Sequence, residues 1–170
     1  MYIPAELASF SFSEFERGVE GISDEDARVR MKKADGTEMN AISWTISHIA
    51  GHWLGVAAYA RSEDVPSHLG RFGGREADPT PPALGDATDL LAEAKASLEW
   101  ISEADEDLFA EARDGLRYSR THGNVGTALS KVVMHTWNHI GEISAVRQML
   151  GHPTIEFVGP QLGKLEWRGS

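Results

Sequence analysis

The chain has 170 residues, 16 Lys+Arg against 26 Asp+Glu for a formal net charge of −10, seven histidines and no cysteine. The missing cysteine excludes a disulfide framework, thiolate-bound zinc or iron–sulfur sites and a catalytic thiol, and the acidic balance opposes broad binding to nucleic acid or anionic membranes. At 41 % apolar and 25 % charged residues the composition is globular, and the length suits one domain over residues 1–170, with a core of about 5–152 and a tail of 153–170.

No apolar run reaches the ~18 residues of a membrane span. Residues 1–6 lack the basic-then-apolar pattern of a signal peptide, so a cytoplasmic protein is expected. Apolar residues recur at spacings of three and four, the helical period. A first helix is expected from just after Pro4, a residue suited to the first helical turn, to about Gly18 or Gly21, with Leu7, Phe10, Phe12, Phe15 and Val19 as its stripe. Ser23 caps a short second piece reaching about Met31, with Asp24, Glu25 and Asp26 in its first turn. Residues 34–37 form a turn.

A long helix follows over about residues 40–61, built on Ile42, Trp44, Ile46, Ile49, Trp53, Val56 and Tyr59. Gly51 and Gly55 inside it each cost about 1 kcal/mol relative to Ala, which close packing by a neighbour would explain. Residues 63–85 carry repeated Gly and Pro and read as a long loop. Its His68, Arg71 and Arg75 are expected to be solvated. Asp86 or Asp89 starts a further helix to about Ala104, with Leu90, Leu91, Ala94, Leu98 and Ile101 as its stripe. Residues 105–123 are polar around a short Leu108-Phe109 piece, and 122–124 turn. The last long helix spans about 125–150 and ends at Gly151 and Pro153. The tail, with Phe157, Leu165 and Trp167, shows no clear period. The fold class is all-α: a four-helix bundle with short extra helices, a long 63–85 loop and an irregular tail.

The last helix carries the chemistry. In heptads, position a falls on Val125, Val132, His139 and Val146, and position d on Ala128, His135, Glu142 and Met149. A bundle helix buries apolar side chains at a and d, yet the central layers hold His135, His139 and Glu142. An unpaired buried polar group costs about 1–3 kcal/mol, so three neighbours imply a shared partner. His135 and His139, four apart, present imidazoles from successive turns of one face, the spacing by which a helix offers two nitrogens to one metal. The second long helix has its own pair, His48 and His52, and either can supply a third nitrogen. Hydrogen-bonded core imidazoles are the plain alternative. Glu142 and His52 are candidates for orienting a ligand or for acid–base work. Trp44, Trp53, Trp137 and Tyr59 read as core rather than as walls of a site. Three nitrogens leave a coordination position open, the catalytic pattern, and suit zinc, nickel, iron or copper.

The stretch Asn40-Ala41-Ile42-Ser43-Trp44-Thr45-Ile46-Ser47-His48-Ile49-Ala50 resembles the second-helix motif of the DinB superfamily. His135-Thr136-Trp137-Asn138-His139-Ile140-Gly141-Glu142-Ile143, with Arg147 and Leu150-Gly151, resembles its last-helix motif. The resemblance implies a four-helix bundle with one divalent metal, zinc or nickel foremost and iron next, on His48, His135 and His139. It thereby picks His48 over His52. It also implies a homodimer and, by analogy with some relatives, a transferase or isomerase using a low-molecular-weight thiol, or a hydrolase, on a small-molecule substrate. Two other readings are a non-catalytic metal-binding or stress-response dimer and, from Arg113, Arg117 and Arg120, a nucleic-acid binder. Glu111 and Asp114 blunt that basic cluster.

Overall fold

Seven α-helices and one 3-10 helix form among the described residues of the computed structural model, which are 3–73, 78–112 and 123–156. The four long ones are α1 (Ile3–Val19), α3 (Ile42–Ala60), α4 (Leu84–Ala96) and α7 (Val125–Met149). The short ones are α2 (Asp24–Ala27), α5 (Glu99–Glu103) and α6 (Glu106–Ala110). Helix α1 packs on α7, and α3 lies between α4 and α7, which completes the four-helix bundle. No helix is long and apolar enough to cross a membrane. The expected roles of Arg75, His122, the Arg113, Arg117 and Arg120 cluster and Phe157, Leu165 and Trp167 lie outside the described residues.

Local chemistry sets the helix ends. Asn124 caps α7 by accepting from the Thr127 amide at 2.8 Å, and Ser23 caps α2 by accepting from the Asp26 amide at 3.1 Å. Helix α7 stops as Gly151 turns to φ +88°. The Gly151 and His152 amides then donate to the Gln148 and Arg147 carbonyls, each at 3.0 Å, closing the last turn. The same Arg147 is buried and donates through Nη1 to the Gly18 and Glu20 carbonyls at 2.8 and 2.9 Å. It therefore satisfies acceptors at the end of α1 from the end of α7.

The core is continuous across all four long helices. Phe15, Ile42, Ile46, Ile49, Trp53, Leu129 and Ile143 are its largest fully buried apolar side chains. Trp53 meets Phe12 edge-on at 5.7 Å between centroids, and its indole N–H donates to Thr136 Oγ1 at 3.1 Å, so the polar atom at the bundle centre is satisfied.

Several expectations change. The second piece ends at Ala27, not near Met31. The 63–85 segment is not uniformly a loop, because Ser67–Phe72 forms a 3-10 helix whose Leu69 and Phe72 are buried, and α4 already begins at Leu84. The single helix expected to Ala104 breaks into α4 and α5 at Ser97 and Leu98. Leu7 is exposed. Gly51 has Leu69 as its nearest neighbour at 3.8 Å from a would-be Cβ, an ordinary contact that would admit Ala, so close packing does not explain it.

The largest change concerns the face of α7. Its buried residues are Val125, Leu129, Val132, Val133, Thr136, His139, Ile143, Val146 and Arg147. In the heptad frame the core takes a and e rather than a and d. The d residues Ala128, His135 and Glu142 are half-buried, and Met149 is exposed. A wide helix stripe packed against two neighbours, rather than a narrow two-helix seam, produces this shift.

Candidate metal centre

Helices α3 and α7 lie side by side at mid-length, and this contact brings His48, His52, His135, His139 and Glu142 together. Each helix contributes an i, i+4 histidine pair whose rings project from successive turns. His48 Nε2 lies 3.3 Å from His135 Nε2, and His135 Nε2 lies 2.9 Å from His139 Nε2. Nitrogens held tetrahedrally at zinc–nitrogen bond lengths stand about 3.3 Å apart, so these separations are of the right order. His52 closes the other side: its ring centroid is 4.5 Å from that of His48 and 4.3 Å from that of His135. His48, His52 and His135 each offer a ring nitrogen, all within 4.8 Å of one another, so this group could hold a metal ion.

The opposite ring edges are engaged differently. His48 Nδ1 lies 2.5 Å from the Phe72 carbonyl. A carbonyl only accepts, so His48 carries its proton on Nδ1 and, when neutral, presents a bare Nε2. His139 Nδ1 lies 2.6 Å from Glu142 Oε2, and the hydrogen bond from His139 holds the Glu142 carboxyl below its usual pKa. An ionised carboxylate accepts, so this contact gives His139 the same tautomer. His135 stands between two bare nitrogens. Without a cation, an Nε2–H on His135 is the arrangement that satisfies the group.

Burial pushes the His48 imidazole below its ordinary pKa, against the opposing pull of the Phe72 carbonyl. His135 is pushed to about 4 and His52 to about 2, first by burial and then by the neighbouring imidazoles. Neutral imidazoles are the form that binds a metal. The two outer contacts, a backbone carbonyl and a carboxylate on Nδ1, are the partners that orient ligating histidines. The residues present therefore fit a divalent cation.

Some of the centre was not legible in the sequence. Phe72 comes from the 3-10 helix inside the supposed loop, and only chain folding brings its carbonyl to His48. Trp44 stacks on the His48 ring at 4.9 Å with a 16° tilt, and its indole donates to the Asp78 carbonyl at 2.7 Å. Tyr59 is buried, donates to the Gly123 carbonyl at 2.9 Å and lines a cavity beside the histidines. Both aromatic residues are thus core and site wall at once. For Trp44 the i, i+4 spacing to His48 was the available signal. His68 is exposed, whereas His152 pairs with Asp26 at 3.2 Å, away from the centre.

The cavity lies between α3 and α7, has a volume of about 210 Å³ and reaches His52 and His135 at one end. No curated protein matches the chain. A family model described as DinB superfamily matches residues 9–143, which include every histidine of the centre and Glu142. Over most of its length, and with the bundle and the clustered histidines in place, the chain belongs to the DinB superfamily.

Proposed function

We propose that the chain is a divalent-metal-dependent enzyme acting on a small molecule, with His48, His135 and His139 as the metal ligands and zinc or nickel as the metal. One observation carries this reading. His135 Nε2 lies within 3.3 Å of both His48 Nε2 and His139 Nε2, while the Nδ1 atoms of His48 and His139 are committed to Phe72 and Glu142. Three nitrogens leave one coordination position for a substrate. A cation bound there supplies a Lewis acid that lowers the pKa of a thiol or water.

The chain's own residues supply the rest. Glu142 holds the His139 ring in its ligating tautomer, and Phe72 does the same for His48. His52 borders both the histidine cluster and the cavity, and its neutral imidazole can hydrogen-bond and orient a bound substrate. With no cysteine in the chain, any sulfur nucleophile arrives with a low-molecular-weight thiol. Transfer to, isomerisation of or hydrolysis of an electrophilic small molecule is the reaction class.

Elemental analysis of tag-free protein tests the reading. One divalent ion per chain is expected, lost in His48→Ala, His135→Ala and His139→Ala and retained in His52→Ala. Metal lost in His52→Ala but kept in His139→Ala would reassign the ligands to His48, His52 and His135.

A further inference from the structure

The cavity beside the histidines combines apolar walls with imidazole and ammonium groups. It is lined by His52 and His135, by the apolar Val56, Ala128 and Val132, and by the exposed Lys131. Lys131 precedes His135 by four residues on α7, so the two side chains leave the same side of the helix about 6 Å apart along the axis. In a chain of net charge −10, an exposed lysine commonly finds a carboxylate, as Lys95 does with Glu16 at 2.9 Å. Lys131 makes no ion pair among the described residues, although Glu106 borders a shallow recess on its outer side. Among the described residues lining the cavity it carries the one fixed formal charge.

We propose that this cavity is the substrate pocket and that Lys131 selects a small molecule that carries both a carboxylate and a metal-binding donor on a short apolar body. The proposal rests on the metal-centre reading above and adds the substrate class to it. A volume of about 210 Å³ is below the ~300 Å³ at which drug-sized sites begin and suits a small ligand. The apolar walls favour a short hydrocarbon body. The lysine ammonium gives a carboxylate a charge-assisted hydrogen bond that a neutral amide of the same shape does not receive.

The test uses cobalt(II)-loaded protein and two isosteric probe pairs, 4-mercaptobutyrate against 4-mercaptobutyramide and 6-mercaptohexanoate against 6-mercaptohexanamide. Binding is read from the thiolate-to-cobalt charge-transfer absorption. The carboxylate should bind about fivefold tighter than its amide at low salt, with the preference shrinking as salt rises. Lys131→Met should bring each pair within about twofold, and Lys131→Arg should keep the preference. Equal binding of the members of both pairs by the parent, or a preference that survives Lys131→Met, overturns the proposal. Failure of the parent to load cobalt counts against the metal reading instead. The pocket is then read separately by adding pentanoate to metal-free protein and following backbone amide shifts of residues 127–132. Saturable shifts lost in Lys131→Met support the anion site, and their absence from the parent overturns it.

Discussion

The His139 imidazole donates through Nδ1 to the Glu142 carboxylate at 2.6 Å, three residues further along α7. This contact fixes the ring edge that His139 turns toward His135, and it links two residues that otherwise look like separate errors in a helix core. Removing such an orienting carboxylate typically costs 10–100-fold in metal affinity. Glu142→Ala should therefore weaken zinc binding by about that factor in competition with a chelator, without abolishing it. Glu142→Gln, whose amide oxygen still accepts, should lose less. Unchanged affinity in Glu142→Ala would remove the orienting role.

Acidity should destabilise the metal-free protein. An unfolded histidine titrates near 6.5, whereas folded His135 titrates near 4 and folded His52 near 2. Below pH 6.5 the unfolded chain takes up protons that the folded chain refuses. Stability is thus full above pH 6.5 and declines as the pH falls toward the folded values, by on the order of 1 kcal/mol per pH unit from His52. Urea midpoints of chelator-treated protein between pH 7.5 and 5 measure this. His52→Gln should flatten the slope, and a midpoint constant over that range in the parent contradicts the prediction.

Trp53 joins the two histidine-bearing helices through a buried hydrogen bond to Thr136. Trp53→Phe keeps most of the apolar surface but leaves the Thr136 hydroxyl with its Val132 bond alone. A loss of about 1–3 kcal/mol in unfolding free energy is expected, read by urea denaturation, and Trp53→Ala should cost about 3–5 kcal/mol.

Arg147 is a test of structure without chemistry. Its Nη1 serves two carbonyls at the end of α1, and hydrogen bonds from a charged donor are each worth about 1.5–3 kcal/mol. Arg147→Met should lower stability by about 3 kcal/mol while metal stoichiometry at 10 °C stays that of the parent. Loss of metal from a still-folded Arg147→Met protein would tie this arginine to the centre.

The helical period, the Ser23 and Asn124 caps and the Gly151 stop are local, so the helices were legible from residue spacing. Elements held by tertiary contacts were not. Ser67–Phe72 has no long periodic stripe, and its helix is held by burying Leu69 and Phe72 against the bundle, a tertiary effect. The a and d assignment on α7 presumed one partner helix, whereas α7 packs on both α1 and α3. The core stripe moved to a and e for that reason, and the d residue His135 came to the edge of the core, beside the cavity, instead of its middle.

Residue order alone shows two long helices that each carry a histidine pair, in an acidic, cysteine-free chain that offers imidazole and carboxylate as its metal-binding groups. Spacing along a helix is set by the 3.6-residue turn, and no folding is needed to read it. How the pairs face one another, which ring edges Phe72 and Glu142 engage, and the cavity lined by Lys131 beside them all depend on how the chain packs. Those relations run between α3, α7 and the 3-10 segment, whose mutual placement is fixed by packing the core and not by any one helix's periodicity.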